Sequence, residues 1–228
     1  MTSVFPLPSP TLPEFTTLLL KGPYHASAPI HLCLTHLANH PGSRAVLLTP
    51  SRENFVAALR DFNEDWLNEC GGYGAVSQVL SRVDVFYPPT PVQASLFLSM
   101  LREARPETAP SQLEIESPCL VLLHEFSSYF LDGETSGSHC LASYLSLVAH
   151  ALTTLKSLSE QASRLVLMDS RLDCLNLPVL EPDIHGLVAA DLEGPNSPYR
   201  VAFLIHHYFE WVGTFESGTA HSRNHVPM

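Results

Sequence analysis

The chain has 228 residues, of which 45% are hydrophobic, enough for one domain with a substantial core. Because 23 Asp and Glu residues oppose 12 Lys and Arg residues, for a net charge of -11, the composition disfavours autonomous binding to nucleic-acid phosphates. No run of 18 apolar residues predicts a membrane span, and five scattered cysteines without CxxC spacing indicate a reducing, intracellular compartment.

The first predicted elements are an arm, a strand and a helix. Residues 1–13 are rich in proline and are predicted to form an extended arm before a core domain at residues 14–216. The apolar run Thr17–Lys21 predicts a strand, and apolar residues at i, i+3, i+4 and i+7 predict a helix over Pro29–His40. A short loop therefore joins a strand to a helix near the start of the chain.

Apolar runs and helical segments then alternate along the chain. Continuous apolar runs predict strands that are buried on both faces, and a 3.6-residue apolar period predicts the helices between them. This alternation is typical of an α/β domain with a mostly parallel sheet. The predicted strands are Ala45–Thr49, Val83–Tyr87, Cys119–Leu123 and Arg164–Asp169, and the predicted helices are Arg52–Glu69, the segment after Thr90, and His139–Glu160.

Two of these helices carry predictions about the core. In the Arg52–Glu69 helix, the apolar stripe is predicted to consist of Phe55, Leu59, Phe62 and Trp66. In the helix after Thr90, the side chains predicted to face the core are Val92, Leu96 and Met100. Thr90 itself, followed by Pro91 and Gln93, matches the pattern of a helix cap.

The pattern changes near the C-terminus, where apolar runs follow one another without helices between them. This predicts antiparallel hairpins at one edge of the sheet, with strands at Leu187–Ala190, Tyr199–His206 and Tyr208–Phe215. Residues 217–228 have little apolar content and are predicted to be a disordered tail.

The loop after the first strand has the position of a phosphate-binding loop but not its chemistry. Counting the pattern GxxxxGK[ST] from Gly22 places Ser27 at the second glycine, Ala28 at the lysine and Pro29 at the Ser/Thr. The lysine that would contact the β- and γ-phosphates and the hydroxyl that would bind Mg²⁺ are both absent. The sequence therefore predicts a frame without ATP hydrolysis, and ATP binding is not expected.

Four segments, in order, resemble the RecA-like ATPase core of the recombinase family. They are LLLKG, VDVFYPPTPVQASLFLSML, CLVLLHEFSSYF and RLVLMDSRL, and together they span about residues 15–215. The chain is most similar to small, degenerate recombinase paralogues that pair with a SWIM-domain protein in Shu-type complexes. The resemblance implies a RecA-like fold and a role in homologous-recombination DNA repair.

The chain departs from the family at the second acidic motif and at the DNA-binding loops. The family ends the second-motif strand in Asp, whereas this strand ends in His124 with Glu125 next; Glu125 could replace the Asp or could face solvent. The stretch 132–138 has no Lys or Arg, and the stretch 170–185 has only Arg171. DNA is therefore expected to be contacted only indirectly, through a partner.

The resemblance and these departures predict a non-catalytic adaptor, a pseudo-ATPase that assembles with a SWIM-domain protein and with recombinases or their paralogues. The expected location is the nucleus and also the cytoplasm. Two alternatives remain open: a RecA-like subunit of a ring complex such as Elongator, which acts in tRNA modification, and an NTPase with an unconventional phosphate loop.

Large apolar residues near both ends of the chain predict an interface with a partner. The candidates are Phe15, Phe203, Phe209 and Trp211. The alternative for the N-terminal arm, with Phe5, Leu7 and Leu12, is that it packs onto the chain's own domain.

Two further patterns concern polymerisation and metal binding. The FxxA segment through which these recombinases polymerise has a close match at residues 15–18, which ends in Leu, and a full match at residues 55–58, where Phe55 is predicted to be a core residue. His31, His36 and His40 lack a matching carboxylate or cysteine, and His124-Glu125 lacks the second histidine of HExxH, so no metal site is predicted.

Overall fold

Six parallel strands form the central sheet of the protein. The computed structural model describes residues 2–6, 8, 10–103, 118–131, 139–158, 163–179 and 199–216. In space the strands follow the order β3-β2-β4-β5-β1-β8, with every neighbouring pair parallel. The strands of this sheet are β1 Thr17–Lys21, β2 Ala45–Leu48, β3 Val83–Phe86, β4 Leu120–His124, β5 Arg164–Asp169 and β8 Trp211–Thr214. The prediction of an α/β domain with a mostly parallel sheet is confirmed.

Eight α-helices connect or follow these strands in the described part of the chain. They are α1 Ala28–Ala38, α2 Arg52–Phe62, α3 Asp65–Cys70, α4 Gly74–Leu80, α5 Pro91–Glu103, α6 Ser128–Leu131, α7 Leu141–Leu158 and α8 Val201–Ile205. A separate antiparallel pair is formed by β6 Asn176–Leu177 and β7 Tyr199–Arg200.

The helices form a layer on each face of the sheet, because alternate strand residues point to opposite faces. On one face, Leu19, Val121 and Leu167 pack with residues of α5, α7 and α8. On the other, Leu20, Leu122 and Met168 pack with residues of α1 and α2. All five residues of β4 are buried, as expected for a central strand with helices on both faces.

The N-terminal arm packs against α1. Val4 is buried in the same core cluster as α1, and Leu12 packs against that cluster. The backbone N–H of Ser3 donates to the Thr35 Oγ1 at 2.8 Å, and the Thr35 hydroxyl lies 2.8 Å from the Ser3 carbonyl oxygen. In its described residues, the arm therefore follows the alternative in which it packs onto the chain's own domain.

The predicted helix Arg52–Glu69 is two helices. The backbone of Asn63 is left-handed, with φ of 44°, and its N–H donates to the Leu59 carbonyl oxygen, which ends α2. As a result Phe62 is 46% exposed, whereas Phe55 is buried as predicted. The helix α4 was not predicted from the sequence.

The predicted core face of α5 is wrong. The buried residues of α5 are Ala94, Leu98 and Leu101, whereas the predicted ones are exposed: Val92 at 76%, Leu96 at 60% and Met100 at 59%. Both stripes have helical spacing, so periodicity alone could not distinguish them. The predicted cap is present, because the Gln93 N–H donates to Thr90 Oγ1 at 3.2 Å.

The predicted C-terminal antiparallel hairpins are also wrong where the structure describes them. Most of the predicted strand Tyr199–His206 is helix α8, and β8 pairs parallel with β1. A parallel edge strand and an edge hairpin have the same short apolar pattern, so the sequence could not separate them. The predictions for 105–117, 132–138, Leu187–Ala190 and 217–228 lie outside the described residues.

Candidate functional site

A cavity lies where the carboxyl ends of the central strands meet, beside the loop between β1 and α1. Its volume is about 350 Å³. Clefts at this edge of a parallel sheet are the usual ligand sites of α/β domains. The side chains that line it come from the ends of β1, β2, β4 and β5 and from α2: Tyr24, Ala26, Thr49, Pro50, Ser51, Asn54, Phe55, Ala58, His124, Glu125, Ser128, Ser170 and Arg171.

Gly22 begins the β1–α1 loop in a conformation that favours glycine. Its φ is +88°, and a Cβ at this position would collide with the backbone carbonyl oxygen of Phe215. The Phe215 N–H donates to the Lys21 carbonyl oxygen at 2.8 Å, which holds the two backbones together. Glycine is thus required here by packing as well as by the turn.

The N-terminus of α1 has few backbone donors left for a phosphate. The Ala28 N–H donates to the His25 carbonyl oxygen, and the Ile30 and His31 N–H groups both donate to the Ser27 carbonyl oxygen. Pro29 has no N–H. Phosphate-binding loops rely on such donors at a helix N-terminus, so the loop lacks the backbone arrangement as well as the lysine.

Tyr24 crosses the loop and contacts the second-motif position. Its hydroxyl donates to Glu125 Oε1, and the Ser170 N–H donates to the same oxygen at 2.9 Å. Burial, and then the Glu125 charge, raise the pKa of Tyr24, so the phenol is neutral at physiological pH. The Glu125 carboxylate is therefore half-buried on the cavity wall, where Tyr24 and Ser170 hold one of its oxygens.

A second carboxylate lies behind the first. Asp169, at the end of β5, is fully buried and accepts hydrogen bonds from the Ser127 N–H at 2.7 Å and the Ser127 hydroxyl at 2.6 Å. The Arg171 N–H also donates to it, at 3.1 Å. Burial, and then the Glu125 charge, raise the pKa of Asp169. Its role in the described geometry is to fix the loop after β4, since both Ser127 donors are bound to it.

His124 forms another wall of the cavity. Its Nδ1 lies 3.0 Å from Thr49 Oγ1, and its ring packs edge-on against Phe55 with the centroids 5.2 Å apart. Burial lowers the pKa of His124 to about 4, so the imidazole is neutral at physiological pH. The wall is therefore aromatic and uncharged.

An aromatic cluster covers the outer side of the β1–α1 loop. The His25 ring stacks against Phe5 of the arm, with centroids 4.9 Å apart, and against Phe62 of α2, at 5.6 Å. Phe215 packs edge-on against Phe5 and Tyr24. His25 Nδ1 lies 2.8 Å from Ser27 Oγ. The arm, α2 and the end of β8 thus hold the loop from outside.

The structure places the β1–α1 loop and the second-motif position at one cavity. Tyr24 and Ala26 of the β1–α1 loop line the same cavity as His124 and Glu125. The predicted loop positions Gly22, Ser27, Ala28 and Pro29 are not on its lining. Sequence reasoning missed Tyr24, although a large aromatic residue in a loop where phosphate-binding loops have small residues is a usable signal. Thr49 and Phe5 gave no signal, because their roles depend on contacts distant in sequence.

The predicted interface residues divide into two groups. Phe15 and Phe209 are 4% and 7% exposed and pack in the chain's own core, so their assignment to an interface is corrected. Phe203 and Trp211 are 64% and 47% exposed, together with Tyr208 and Val212 nearby in sequence. We term these four exposed residues, which are grouped by their nearness in sequence, the C-terminal patch.

A second exposed apolar surface lies on α5, and we term Val92, Leu96 and Met100 the α5 stripe. The helix lies near strand β3, since Phe97 packs against Phe86 with ring centroids 4.2 Å apart. Strands β3 and β8 are the two edges of the sheet, five strand spacings or about 24 Å apart. The α5 stripe and the C-terminal patch therefore lie toward opposite ends of the sheet.

Within the described residues, no group of three or more His, Cys, Asp or Glu side chains is arranged to hold a metal ion. None of the helices in the same part of the chain has the length and apolar character needed to cross a membrane.

Among known proteins, similarity to this chain is found in solved structures and not in sequence families. No protein-family model matches the sequence, and no curated protein matches it. Among solved structures, the chain is similar to the crystal structure of the RadB recombinase, at 17% sequence identity and a TM-score of 0.39. The match covers 68% of this chain and 60% of that one. At this identity and TM-score, the likeness does not by itself assign an activity to the chain.

Proposed function

We propose that this protein is a non-catalytic adaptor in homologous-recombination DNA repair, a RecA-like pseudo-ATPase that joins a SWIM-domain protein to recombinases or their paralogues. The main observation in favour of a protein without catalytic activity is the set of residues in the β1–α1 loop and at the start of α1. Ala28 and Pro29 occupy the lysine and hydroxyl positions, and Tyr24 reaches across the loop to Glu125. The recombination role rests on the resemblance of the four sequence segments to the recombinase family.

The chemistry of phosphoryl transfer supports this assignment. The reaction depends on a cationic side chain and a metal ion that stabilise charge on the transferred phosphate. Here Tyr24 of the loop is bonded to the Glu125 carboxylate, and the first N–H groups of α1 have backbone partners. Arg171 lines the cavity from the end of β5 and not from the loop, so a phosphate would meet the Glu125 carboxylate without the lysine of a phosphate-binding loop.

The adaptor role is supported by the two exposed apolar surfaces. The α5 stripe and the C-terminal patch have side chains that are 42% to 76% exposed. Groups of large, exposed apolar side chains are typical of interaction surfaces. Their placement toward opposite edges of the sheet leaves room for two partners at once, which is what an adaptor requires.

Enzymatic activity is tested with the purified full chain. Phosphate release from ATP is expected to equal the background rate, and ATP with Mg²⁺ is expected to leave the melting temperature unchanged. Turnover proportional to protein concentration and lost in Glu125→Gln, or a nucleotide-induced rise in melting temperature, would instead support the NTPase alternative, in which Glu125 takes the place of the second-motif Asp.

Docking is tested by capture of the SWIM-domain partner and of recombinase paralogues with tagged variants. Leu96→Gln and Trp211→Ala are expected to reduce capture of one partner each, with little change in melting temperature. The matched control is Val56→Gln, because Val56 is also apolar and is 40% exposed on α2 but belongs to neither surface. Undiminished capture by both variants would remove these surfaces from the proposal. A six-membered ring on light scattering would favour the Elongator-like alternative.

Direct DNA binding is tested by fluorescence anisotropy at moderate salt. The net charge of -11 repels a polyanion, so the isolated chain is expected to bind single-stranded and duplex oligonucleotides weakly or not at all. Micromolar or tighter binding by the chain alone would contradict the indirect role.

A further inference from the structure

The cavity beside the β1–α1 loop contains a carboxylate oxygen that no described residue uses. Both hydrogen bonds to the Glu125 side chain, from the Tyr24 hydroxyl and the Ser170 N–H, go to Oε1. Glu125 Oε2 has no hydrogen-bond partner among the described residues. Glu125 has a positive φ of 53°, and its hydrogen bonds to Tyr24 and Ser170 fix its carboxylate on the cavity wall. The oxygen is therefore available to a ligand.

The walls around this oxygen are aromatic. Tyr24, Phe55 and His124 line the same cavity, with the His124 ring 5.2 Å from Phe55 and 6.0 Å from Tyr24. His124 is neutral, so it does not repel a cation. A carboxylate acceptor among aromatic rings is the environment that recognises a planar organic cation, which can donate to the oxygen and stack on the rings.

Glu125 Oε2 gives the cavity an unused acceptor for a cation. The lining has one carboxylate, Glu125, and one guanidinium, Arg171, while burial and the Glu125 charge raise the pKa of Asp169, behind the lining, to about 7. The Ala28, Ile30 and His31 N–H groups of α1 have backbone partners, as described above. The chain as a whole has a net charge of -11, so a basic partner is complementary to it.

From these observations we infer that the cavity binds a guanidinium group, supplied by an arginine side chain of a protein partner. The group donates to Glu125 Oε2 and lies between the aromatic walls. The volume of about 350 Å³ accommodates an arginine side chain. The source of the cation rests on the proposed adaptor function, whereas the binding chemistry of the cavity does not depend on it.

The binding chemistry is tested on the purified full chain with N-acetylarginine amide, followed by amide NMR. The Ser170 amide is the reporter, because its N–H is bonded to Glu125. Saturable shifts in the millimolar range are expected, with no shifts from the uncharged isostere N-acetylcitrulline amide. Equal shifts from both probes, or stronger shifts from inorganic phosphate, would overturn the inference.

Two charge variants test the site in opposite directions. Glu125→Gln keeps an acceptor for Tyr24 and Ser170 but removes the charge, so affinity for the arginine probe is expected to fall about tenfold. Arg171→Gln removes like-charge repulsion, so affinity is expected to rise about threefold. Glu69→Gln, an exposed site with the same charge change as Glu125→Gln, is the control and leaves affinity unchanged. Weaker binding of the arginine probe by Arg171→Gln would show that the probe does not occupy the space between Arg171 and Glu125 and would overturn the inference.

The source of the cation is tested by partner capture. Loss of the SWIM-domain partner with Glu125→Gln but not Glu69→Gln, and competition by excess N-acetylarginine amide, support a partner arginine. Probe binding with unchanged capture assigns the cavity to a free small cation and overturns the partner as its source. Normal capture without any probe binding overturns the inference and leaves the adaptor proposal intact.

Discussion

The β1–α1 loop is closely packed, whereas the apolar α5 stripe is exposed. In the loop, Tyr24 is bonded to Glu125, His25 stacks on Phe5 and Phe62, and Gly22 lies against the backbone of Phe215. The α5 stripe consists of large apolar residues and is exposed. Packing within the chain therefore constrains the place where a nucleotide would bind, but it does not cover this apolar surface. Four predictions test this difference.

The largest effect is expected for Gly22→Ala. The new Cβ would collide with the Phe215 carbonyl oxygen and would also have to adopt φ of +88°, so a loss of about 3 kcal/mol or more in unfolding free energy is expected. Chemical denaturation measures it. Gly42→Ala is the matched control: φ is +86° there, but nothing lies within 4 Å of the added Cβ, so only about 1 kcal/mol is lost. Equal losses would show that the loop is not closely packed against β8.

A large contrast is expected between two leucines of α5. Leu98 is fully buried, so Leu98→Ala is expected to lower the unfolding free energy by about 3 kcal/mol. Leu96 is 60% exposed, so Leu96→Ala is expected to change it by less than about 0.5 kcal/mol. Urea denaturation of both variants measures the difference. Similar losses for the two would mean that the stripe is covered within the chain.

Stability is expected to fall as the pH is lowered from 7 to 5, through buried histidines. Burial lowers the pKa of His36 to about 3, below its unfolded value near 6.5, and that of His124 to about 4. The unfolded chain therefore binds more protons in this window, and the stability is lost from about pH 6.5 down to each folded pKa. Asp169 acts in the opposite direction, because its folded pKa is raised.

The contribution of His36 to this loss of stability is measured by comparing a His36 variant with the wild type. His36→Gln is expected to lose about 1 to 2 kcal/mol less than the wild type between pH 7 and pH 5. His207→Gln, at an exposed site, is the control and should follow the wild type. Thermal denaturation across this pH range measures both, and parallel curves for His36→Gln and wild type would refute the role of His36.

The smallest effect is expected for Tyr24→Phe. Removing the hydroxyl deletes one hydrogen bond to Glu125 while the ring stays against Phe215 and His124, so the loss is about 1 kcal/mol. Tyr87→Phe, just after the end of edge strand β3, is the control. The thermal shift of each variant is measured, and no change for Tyr24→Phe would show that the hydroxyl does not tie the loop to the second-motif position.

The α/β class, the position of the nucleotide-loop equivalent and the positions of all six sheet strands could be predicted from sequence, although β8 was expected in an antiparallel hairpin. Each depends on a local pattern: a continuous apolar run, a 3.6-residue period, or a glycine between a strand and a helix. The β1–α1 loop and His124-Glu125 lie at one edge of the sheet, since the carboxyl ends of parallel strands meet there.

Only the tertiary structure decided which α5 face is buried, where the last strand pairs and what occupies the loop. Leu96 and Leu98 are equally apolar, and their burial depends on which side of α5 meets the sheet. Strand β8 joins β1 in parallel although nearly 200 residues separate them in sequence. The bond from Tyr24 to Glu125 and the stack of Phe5 on His25 join distant segments. Sequence periodicity records which residues lie on one face of an element, but not which other element that face contacts.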